Sequence, residues 1–234
     1  SPIDLNNWKK QLDTSKTKAD RDVFFDHVKK LNLRNSIFID NTASESISEE
    51  YGRYLASNIG VVTCNKIACA SSFKNYLDLK KISRRYNAPF LFETNVGAGL
   101  PVIDTLNNLI ASGDKIHKIQ AILSGSLNYI FNKFNSKTTF KNVVQNAQNE
   151  GFTEPDPKID LSGVDVARKI LILARESGFK LELNDIVNRS FLPLEVLNSL
   201  SIEEFYNAID KNEVHFQSIL KNAEEKGARL KYVA

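Results

Sequence analysis

Hydrophobic and polar positions along the first third of the chain predict helices and short buried strands in alternation. Residues 20–31 (DRDVFFDHVKKL) place apolar side chains at helical spacing. Three short apolar runs have the length of buried strands, and the stretches between them predict helices. The predicted strands are 36–40, 61–63 and 90–92, and the predicted helices between them are 47–58 and 72–86. This alternation favours parallel strands joined by right-handed crossovers, as in half of a doubly wound sheet.

Polar side chains follow each predicted strand. Asn41 and Thr42 come after the first, Asn65 and Lys66 after the second, and Glu93 begins the polar run after the third. Ligands of such sheets bind outside the carboxyl ends of the strands, so these residues mark a candidate binding edge. Asn41 and Thr42 are equally suited to capping the next helix, and Lys66 to a surface turn.

The remaining two thirds of the sequence predict mainly helices. These are 102–112, 127–134, 140–151, 164–177, 202–209 and 215–226. A partly alternating run at 116–123 (IHKIQAIL) predicts a strand, and 229–234 (RLKYVA) predicts the first half of another. The fold class is therefore α/β, with a partial Rossmann-type parallel sheet over residues 1–92 and a second, α+β unit over residues 93–234.

The positions of the glycines bear on whether the chain has a dinucleotide-binding turn. A dinucleotide-binding domain normally opens with a strand and a G-x-G-x-x-G turn, and nothing before residue 36 offers one. The G-x-G at Gly97-Ala98-Gly99 lacks the third glycine. We interpret it as a backbone turn in which carbonyls converge, with Pro101 beginning the next helix.

The segment 151–169 (GFTEPDPKIDLSGVDVARK) carries the strongest chemical signal. Its two prolines exclude a helix over 152–157, which predicts a rigid loop that bears Glu154, Asp156 and Asp160. A helix is expected to begin at Ser162 or Gly163, with Ser162 and Asp165 as a variant of the capping box.

Asp165 and Lys169 are four residues apart and therefore share one face of the predicted helix. The helix is otherwise strongly apolar, so the pair is expected to be partly desolvated, and a buried lysine beside a carboxylate is a candidate acid or base. The alternative is an ordinary surface ion pair, worth about 0.3–0.5 kcal/mol.

Composition narrows the function classes. The net charge is only +3 and the basic pairs lie among acids, so nucleic acid is not expected as a partner. The longest aliphatic run, 170–174, is far shorter than the ~20 residues of a membrane span, and we expect a cytoplasmic enzyme. Cys64 and Cys69 with three scattered histidines offer no zinc ligand set and are expected to be reduced thiols. Because methionine is absent, we expect a piece of a longer chain.

Three strings together resemble the signature of homoserine dehydrogenases: NVGAGLPVIDTL, ILSGSLNYIFN and TEPDPKIDLSGVDVARK. FETNVGAGLP and DVARKILILARESG look closest to the form that is fused to an aspartokinase. The similarity runs from about residue 35 to 178 with the motifs in the expected order. It implies NAD- or NADP-dependent interconversion of L-homoserine and L-aspartate 4-semialdehyde, a step toward threonine, methionine and isoleucine, by a homodimer or higher homo-oligomer.

The resemblance also implies residue roles. The family's proton-transfer lysine falls on Lys169 and its neighbouring aspartate on Asp165. The substrate-binding acids fall on Glu154 and Asp160, and the cofactor-contacting residues on Thr42 and Lys66. The family's monovalent cation, usually sodium, is held by backbone carbonyls that match Glu93, Val96, Ala98 and Leu100.

Two departures from the family pattern qualify these expectations. Many relatives have a tyrosine where this chain has Phe152, so a hydroxyl contact to substrate is absent there. The missing glycine-rich turn puts cofactor binding by this chain in doubt. The alternative is therefore an inert substrate-binding and dimerisation domain; a further alternative is an unrelated α/β binding module.

Overall fold

A computed structural model of the chain describes residues 4–234, so the first three residues of the predicted first unit lie outside it. The strands are β1 (Ile37–Asp40), β2 (Gly60–Thr63) and β3 (Phe90–Leu91). The helices are α1 (Trp8–Thr14), α2 (Arg21–Leu31), α3 (Glu45–Ser48), α4 (Tyr51–Leu55), α5 (Ile67–Ala70), α6 (Phe73–Arg85), α7 (Val102–Ala111), α8 (Gly125–Lys133), α9 (Phe140–Asn149), α10 (Pro157–Leu161), α11 (Val164–Glu176), α12 (Leu194–Leu197), α13 (Ile202–Lys211) and α14 (Glu213–Glu224). Within residues 4–234 none of these helices is both long enough and apolar enough to cross a bilayer.

The three strands form one parallel sheet in the order β1-β2-β3, and the predicted α/β class is confirmed. Val61 and Phe90 lie on its buried face. The register places Ile39 beside Val62 and Val62 beside Leu91 on the opposite face. That face is open to solvent, since Ile39 is 63% exposed and Leu91 54%.

Two hydrophobic cores stabilise the chain, and α11 contributes to both. The first core surrounds Tyr51 and Val61 and takes in Ile172 from α11. The second surrounds Phe140 and takes in Val166 from the same helix. α11 therefore packs against both cores, and this packing fixes the position of its polar side chains relative to the sheet.

Two predictions about local structure are wrong in detail. The single helix predicted over 47–58 is two short helices, α3 and α4. The strand predicted over 116–123 does not form, although Ala121 and Ala234 exchange two backbone hydrogen bonds of 3.0 Å. One pair of residues makes no continuous ladder, so neither segment is a strand.

The acidic loop is shorter than predicted. Pro157 begins α10, with Asp156 as its N-cap, so Asp160 lies on a helix and not on the loop. Proline is favoured at this first helical position because its missing N–H would have no helical partner there. α10 runs into α11 through Gly163, which has a φ of 75° and no side chain to cap the helix. The predicted Ser162–Asp165 capping box is therefore wrong.

Candidate active site

Asp165 lies between two lysines in the first turn of α11. Its Oδ2 is 2.7 Å from Lys169 Nζ on the same helix, and its Oδ1 is 3.4 Å from Lys66 Nζ at the N-cap of α5. The Asp165–Lys169 contact follows from their spacing of four residues. The Lys66 contact joins the end of β2 to the helix, so one carboxylate links a residue from each half of the chain.

This cluster is only partly open to water. The side chains of Lys169, Lys66 and Asp165 are 17%, 28% and 37% exposed. Burial by itself would raise the pKa of Asp165, but hydrogen bonding by Lys169 and the charge of Lys66 lower it below its ordinary value of 3.8. Asp165 is therefore an anion at neutral pH, suited to orienting ammonium groups.

A second contact holds Lys169. Its Nζ donates to the backbone carbonyl of Leu123 at 2.7 Å. An ammonium carries three N–H donors, and Asp165 and Leu123 use two of them. One donor remains to reach a third partner, which is the arrangement that a proton donor needs.

The segment after Leu123 also holds the predicted substrate acids. Ser126 Oγ donates to Asp160 Oδ1 at 2.6 Å, and Asp160 Oδ2 accepts from the backbone N–H of Glu154 at 2.8 Å. The carboxylate of Glu154 is exposed and, within residues 4–234, has no hydrogen-bond or ion-pair partner. Residues 123–126 therefore contact Lys169 through Leu123 and Asp160 through Ser126, and Asp160 in turn holds the backbone of Glu154.

A buried polar network lies at the carboxyl ends of β1 and β2. Asp40 accepts hydrogen bonds from Tyr51 Oη at 2.5 Å, from Asn65 Nδ2 at 3.1 Å and from the backbone N–H of Thr42 at 2.7 Å. Although burial alone would raise the pKa of Asp40, these bonds lower it. Thr63 Oγ1 lies 2.7 Å from Tyr51 Oη. Thr42 itself is exposed at this edge, beside the loop that carries Lys66.

The glycine turn after β3 adopts the sharp geometry predicted for it. Gly97 has a φ of 84° and Ala98 a φ of 52°. Glu93 caps α7 with its carboxylate, which accepts from the N–H groups of Ile103 and Asp104, both at 2.8 Å. This carboxylate therefore stabilises the first turn of α7.

Comparison with known proteins places the chain. Residues 101–234 match the profile of the family described as homoserine dehydrogenase, and residues 3–93 match that of the homoserine dehydrogenase NAD binding domain. The chain belongs to the homoserine dehydrogenase family. It is 42% identical to a Zea mays chloroplastic bifunctional aspartokinase/homoserine dehydrogenase over 99% of its own length and 25% of that protein.

Two further comparisons agree. A homoserine dehydrogenase of Schizosaccharomyces pombe is 38% identical over 99% of the chain and 63% of that protein. A crystal structure of a Candida auris protein of unknown function superposes with a TM-score of 0.88 at 34% identity, covering all of this chain and 66% of that one. The chain thus spans between a quarter and two thirds of these relatives.

The residues that sequence reasoning missed are buried or act through the backbone. Asp40 and Tyr51 form the strand-end network with Asn65, which the sequence placed at the candidate binding edge. Nothing in the sequence pairs Asp40 or Tyr51 with that residue. The carbonyl of Leu123, which holds Lys169, gives no sequence signal because every residue has a carbonyl. The only sequence signal for this network was that polar residues follow each predicted strand.

Phe152, the departure from the family pattern, stacks on Tyr129 with ring centroids 4.0 Å apart. Tyr129 in turn donates its hydroxyl hydrogen to Glu150 at 2.8 Å. A phenol is therefore present beside position 152, although it comes from α8 and is engaged by a carboxylate.

A cavity of about 670 Å³, lined mainly by apolar residues, lies against Val166, Ile170 and Phe191. Asp165 and Lys169 are not among its lining residues. The polar cluster and this cavity are separate features of the homoserine dehydrogenase fold seen here.

Proposed function

We propose that this chain carries the catalytic lysine and the substrate-binding groups of a homoserine dehydrogenase, which interconverts L-homoserine and L-aspartate 4-semialdehyde with NAD or NADP. The observation that carries the proposal is the Asp165 carboxylate shared by Lys169 and Lys66. This carboxylate joins α11, within the part that matches the homoserine dehydrogenase profile, to the end of β2, within the part that matches the NAD binding domain. A nicotinamide cofactor and a small substrate would meet at this junction.

Lys169 is the proposed proton donor. Reduction of an aldehyde produces an alkoxide, which needs a proton in the same step, and the third N–H of the Lys169 ammonium is available to supply it. Asp165 holds the ammonium in place through a short charge-assisted hydrogen bond. In the reverse direction the neutral amine would accept the hydroxyl proton.

Glu154 and Asp160 are proposed to bind the substrate's amino group. The exposed Glu154 carboxylate can accept from an ammonium, and its backbone is held at Asp160. Both Asp160 oxygens already accept one hydrogen bond, but a carboxylate has about four lone-pair positions and can accept more. Opposite charge makes this pairing favourable.

Thr42 and Lys66 are the proposed cofactor contacts. Both lie at the carboxyl-end edge of the parallel sheet, the position at which such sheets bind nucleotides. The NAD-binding profile over residues 3–93 supports this placement of a nicotinamide cofactor. The cofactor, when bound, supplies or accepts the hydride.

A monovalent cation, with sodium preferred, is proposed at the carbonyls of Glu93, Val96, Ala98 and Leu100. The carbonyls of Glu93 and Leu100 each accept one backbone hydrogen bond, from Val96 and Val102, and retain a second lone pair. Within the described part of the chain, the carbonyls of Val96 and Ala98 accept no hydrogen bond. A hard cation requires oxygen ligands of this kind.

The wider architecture is proposed from the same family membership. Residues 1–92 form the nucleotide-binding part without its first glycine-rich unit, and residues 93–234 form the substrate, catalytic and dimerisation part of a cytoplasmic enzyme of amino-acid biosynthesis. Exposed apolar residues on the second part, including Leu194, Leu200 and Val214, support self-association into a homodimer or larger homo-oligomer.

Hydride transfer is tested directly by spectrophotometry. The protein is mixed with L-homoserine and NAD or NADP, and absorbance of the reduced nicotinamide is followed, with L-serine as the matched control substrate. Formation of reduced cofactor with homoserine alone supports the proposal. Calorimetric titration with NADPH separates the alternative: no binding and no turnover would identify the chain as an inert substrate-binding and dimerisation domain.

A further inference from the structure

Asn65 precedes Lys66 and is almost completely buried, with 3% of its surface exposed. Its Oδ1 accepts from the N–H of Ile67 at 3.0 Å, and its own N–H donates to Thr63 Oγ1 at 2.9 Å. The backbone is therefore fixed immediately before and immediately after Lys66. Because the lysine stem is flexible, its ammonium can stay near Asp165 only if the backbone that carries it is held.

Asp40 connects this turn to the neighbouring strand end. The Asn65 Nδ2 donates to Asp40 Oδ2 at 3.1 Å and to the carbonyl of Ser44 at 2.9 Å. Asp40 Oδ1 in turn accepts from the N–H of Thr42. The loop with Thr42 and the loop with Lys66 are thus tied by one buried amide.

A third strand end joins the same arrangement. Asn95, which is fully buried, faces the carbonyls of Thr63 and Cys64; with its amide nitrogen toward them it donates two hydrogen bonds of 3.1 Å. The turn that carries Lys66 is therefore held from both neighbouring strands.

We propose that Asn65, anchored on Asp40, is the positioning residue that places the Lys66 ammonium against Asp165. This role rests on the proposed function, because it matters only if Lys66 and Asp165 serve one site. Asn65 touches neither substrate nor cofactor in this role. It acts entirely through Lys66, and that dependence is measurable.

A double-mutant cycle in the complete protein tests the dependence. Asn65→Ala is expected to lower kcat/KM for homoserine about 10²-fold, as a displacement of about 1 Å does in other sites. In a Lys66→Ala background the same change should lower kcat/KM by no more than about 2-fold, since coupled residues are not additive. Losses that multiply would show a general structural effect and overturn the proposal.

Two further variants separate the positioning role of Asn65 from a general loss of folding. Asn65→Ser retains an oxygen acceptor for the N–H of Ile67 and should recover part of the activity, even if Asn65→Ala folds poorly. Ser72→Ala removes a comparable cap bond, from Ser72 Oγ to the N–H of Asn75, on the next helix. It should leave kcat/KM unchanged; an equal loss in this control would overturn the assignment.

Lysine acetylation read by mass spectrometry gives an outcome that is independent of turnover. In Asn65→Ala the labelling of Lys66 should rise several-fold while that of Lys169 does not change, because only Lys66 loses its fixed backbone. Unchanged Lys66 labelling overturns the positioning role. If the unaltered protein has no dehydrogenase activity but Lys66 labelling still rises, the proposed function fails and the positioning role stands.

Discussion

The ammonium of Lys169 donates to the carbonyl of Leu123 at 2.7 Å, which fixes the end of the lysine to a backbone atom 46 residues away. Asp165 supplies the second contact from the preceding turn of α11. Two fixed partners of this kind orient the third N–H, so the proton delivery proposed for Lys169 would depend on the fold and not only on the charge of the side chain.

Lys169→Ala should lower kcat by about 10² to 10⁴-fold, the usual contribution of a positioned general acid. Cofactor affinity, measured by calorimetric titration with NADPH, should change little. Lys74→Ala is the matched control, because Lys74 and Asp78 form an i,i+4 ion pair of 2.6 Å on the solvent-facing side of α6. Retained turnover in Lys169→Ala would remove this residue from the chemistry.

Asp40 should contribute to the acid sensitivity of stability. Its folded-state pKa lies below the ordinary 3.8, so its contribution is present above about pH 4 and is lost as pH falls through the folded value. Asp40→Asn should be less stable at pH 7 and should lose less stability on going to pH 3 than the unaltered protein. Urea unfolding across this range measures both effects.

The control for this experiment is Asp78→Asn, which removes a carboxylate paired only at the surface. Surface ion pairs contribute little to stability, so Asp78→Asn should lose as much stability between pH 7 and pH 3 as the unaltered protein does. An equal loss of stability between pH 7 and pH 3 for Asp40→Asn and the unaltered protein would contradict the prediction.

Gly163→Ala should be destabilising for two separable reasons. Its φ of 75° strains any side chain, and an added Cβ would collide with the hydroxyl of Tyr232. Gly178 has a φ of 92° but no neighbour within 4 Å, so Gly178→Ala measures strain alone, about 1–2 kcal/mol. Gly163→Ala should lose more stability than Gly178→Ala does. Adding Tyr232→Phe to Gly163→Ala should recover part of that difference. Equal losses at both glycines would refute the steric contribution.

Arg175→Ala should be strongly destabilising. The buried guanidinium donates to the carbonyl of Cys69 at 2.8 Å, twice to that of Leu181 and once to Glu182 at 3.0 Å. Glu182 is half exposed, so the loss comes mainly from the carbonyls of Cys69 and Leu181, and a buried acceptor left without a donor costs about 1–3 kcal/mol. Chemical denaturation provides the measurement, and Arg84→Ala on the exposed end of α6 should stay within about 0.5 kcal/mol.

The parallel sheet and most helix positions could be predicted because they follow from local apolar spacing. The Asp165–Lys169 contact could be predicted for the same reason, since four residues bring side chains together on any helix. The helix at Pro157 was missed because proline excludes a helix interior but favours its first position. Lys66 could be placed at a strand end, but its ion pair with Asp165 depends on long-range packing that spacing does not encode.

The position of α11 in both cores has a consequence for cooperativity. Ile172 is packed in one core and Val166 in the other, so loss of either core would free part of the helix that carries Lys169. Partial opening of one half would therefore disrupt the Asp165–Lys169 pair, which is the proposed catalytic pair, before the rest of the chain unfolds. Loss of activity on heating should then follow the less stable of the two halves.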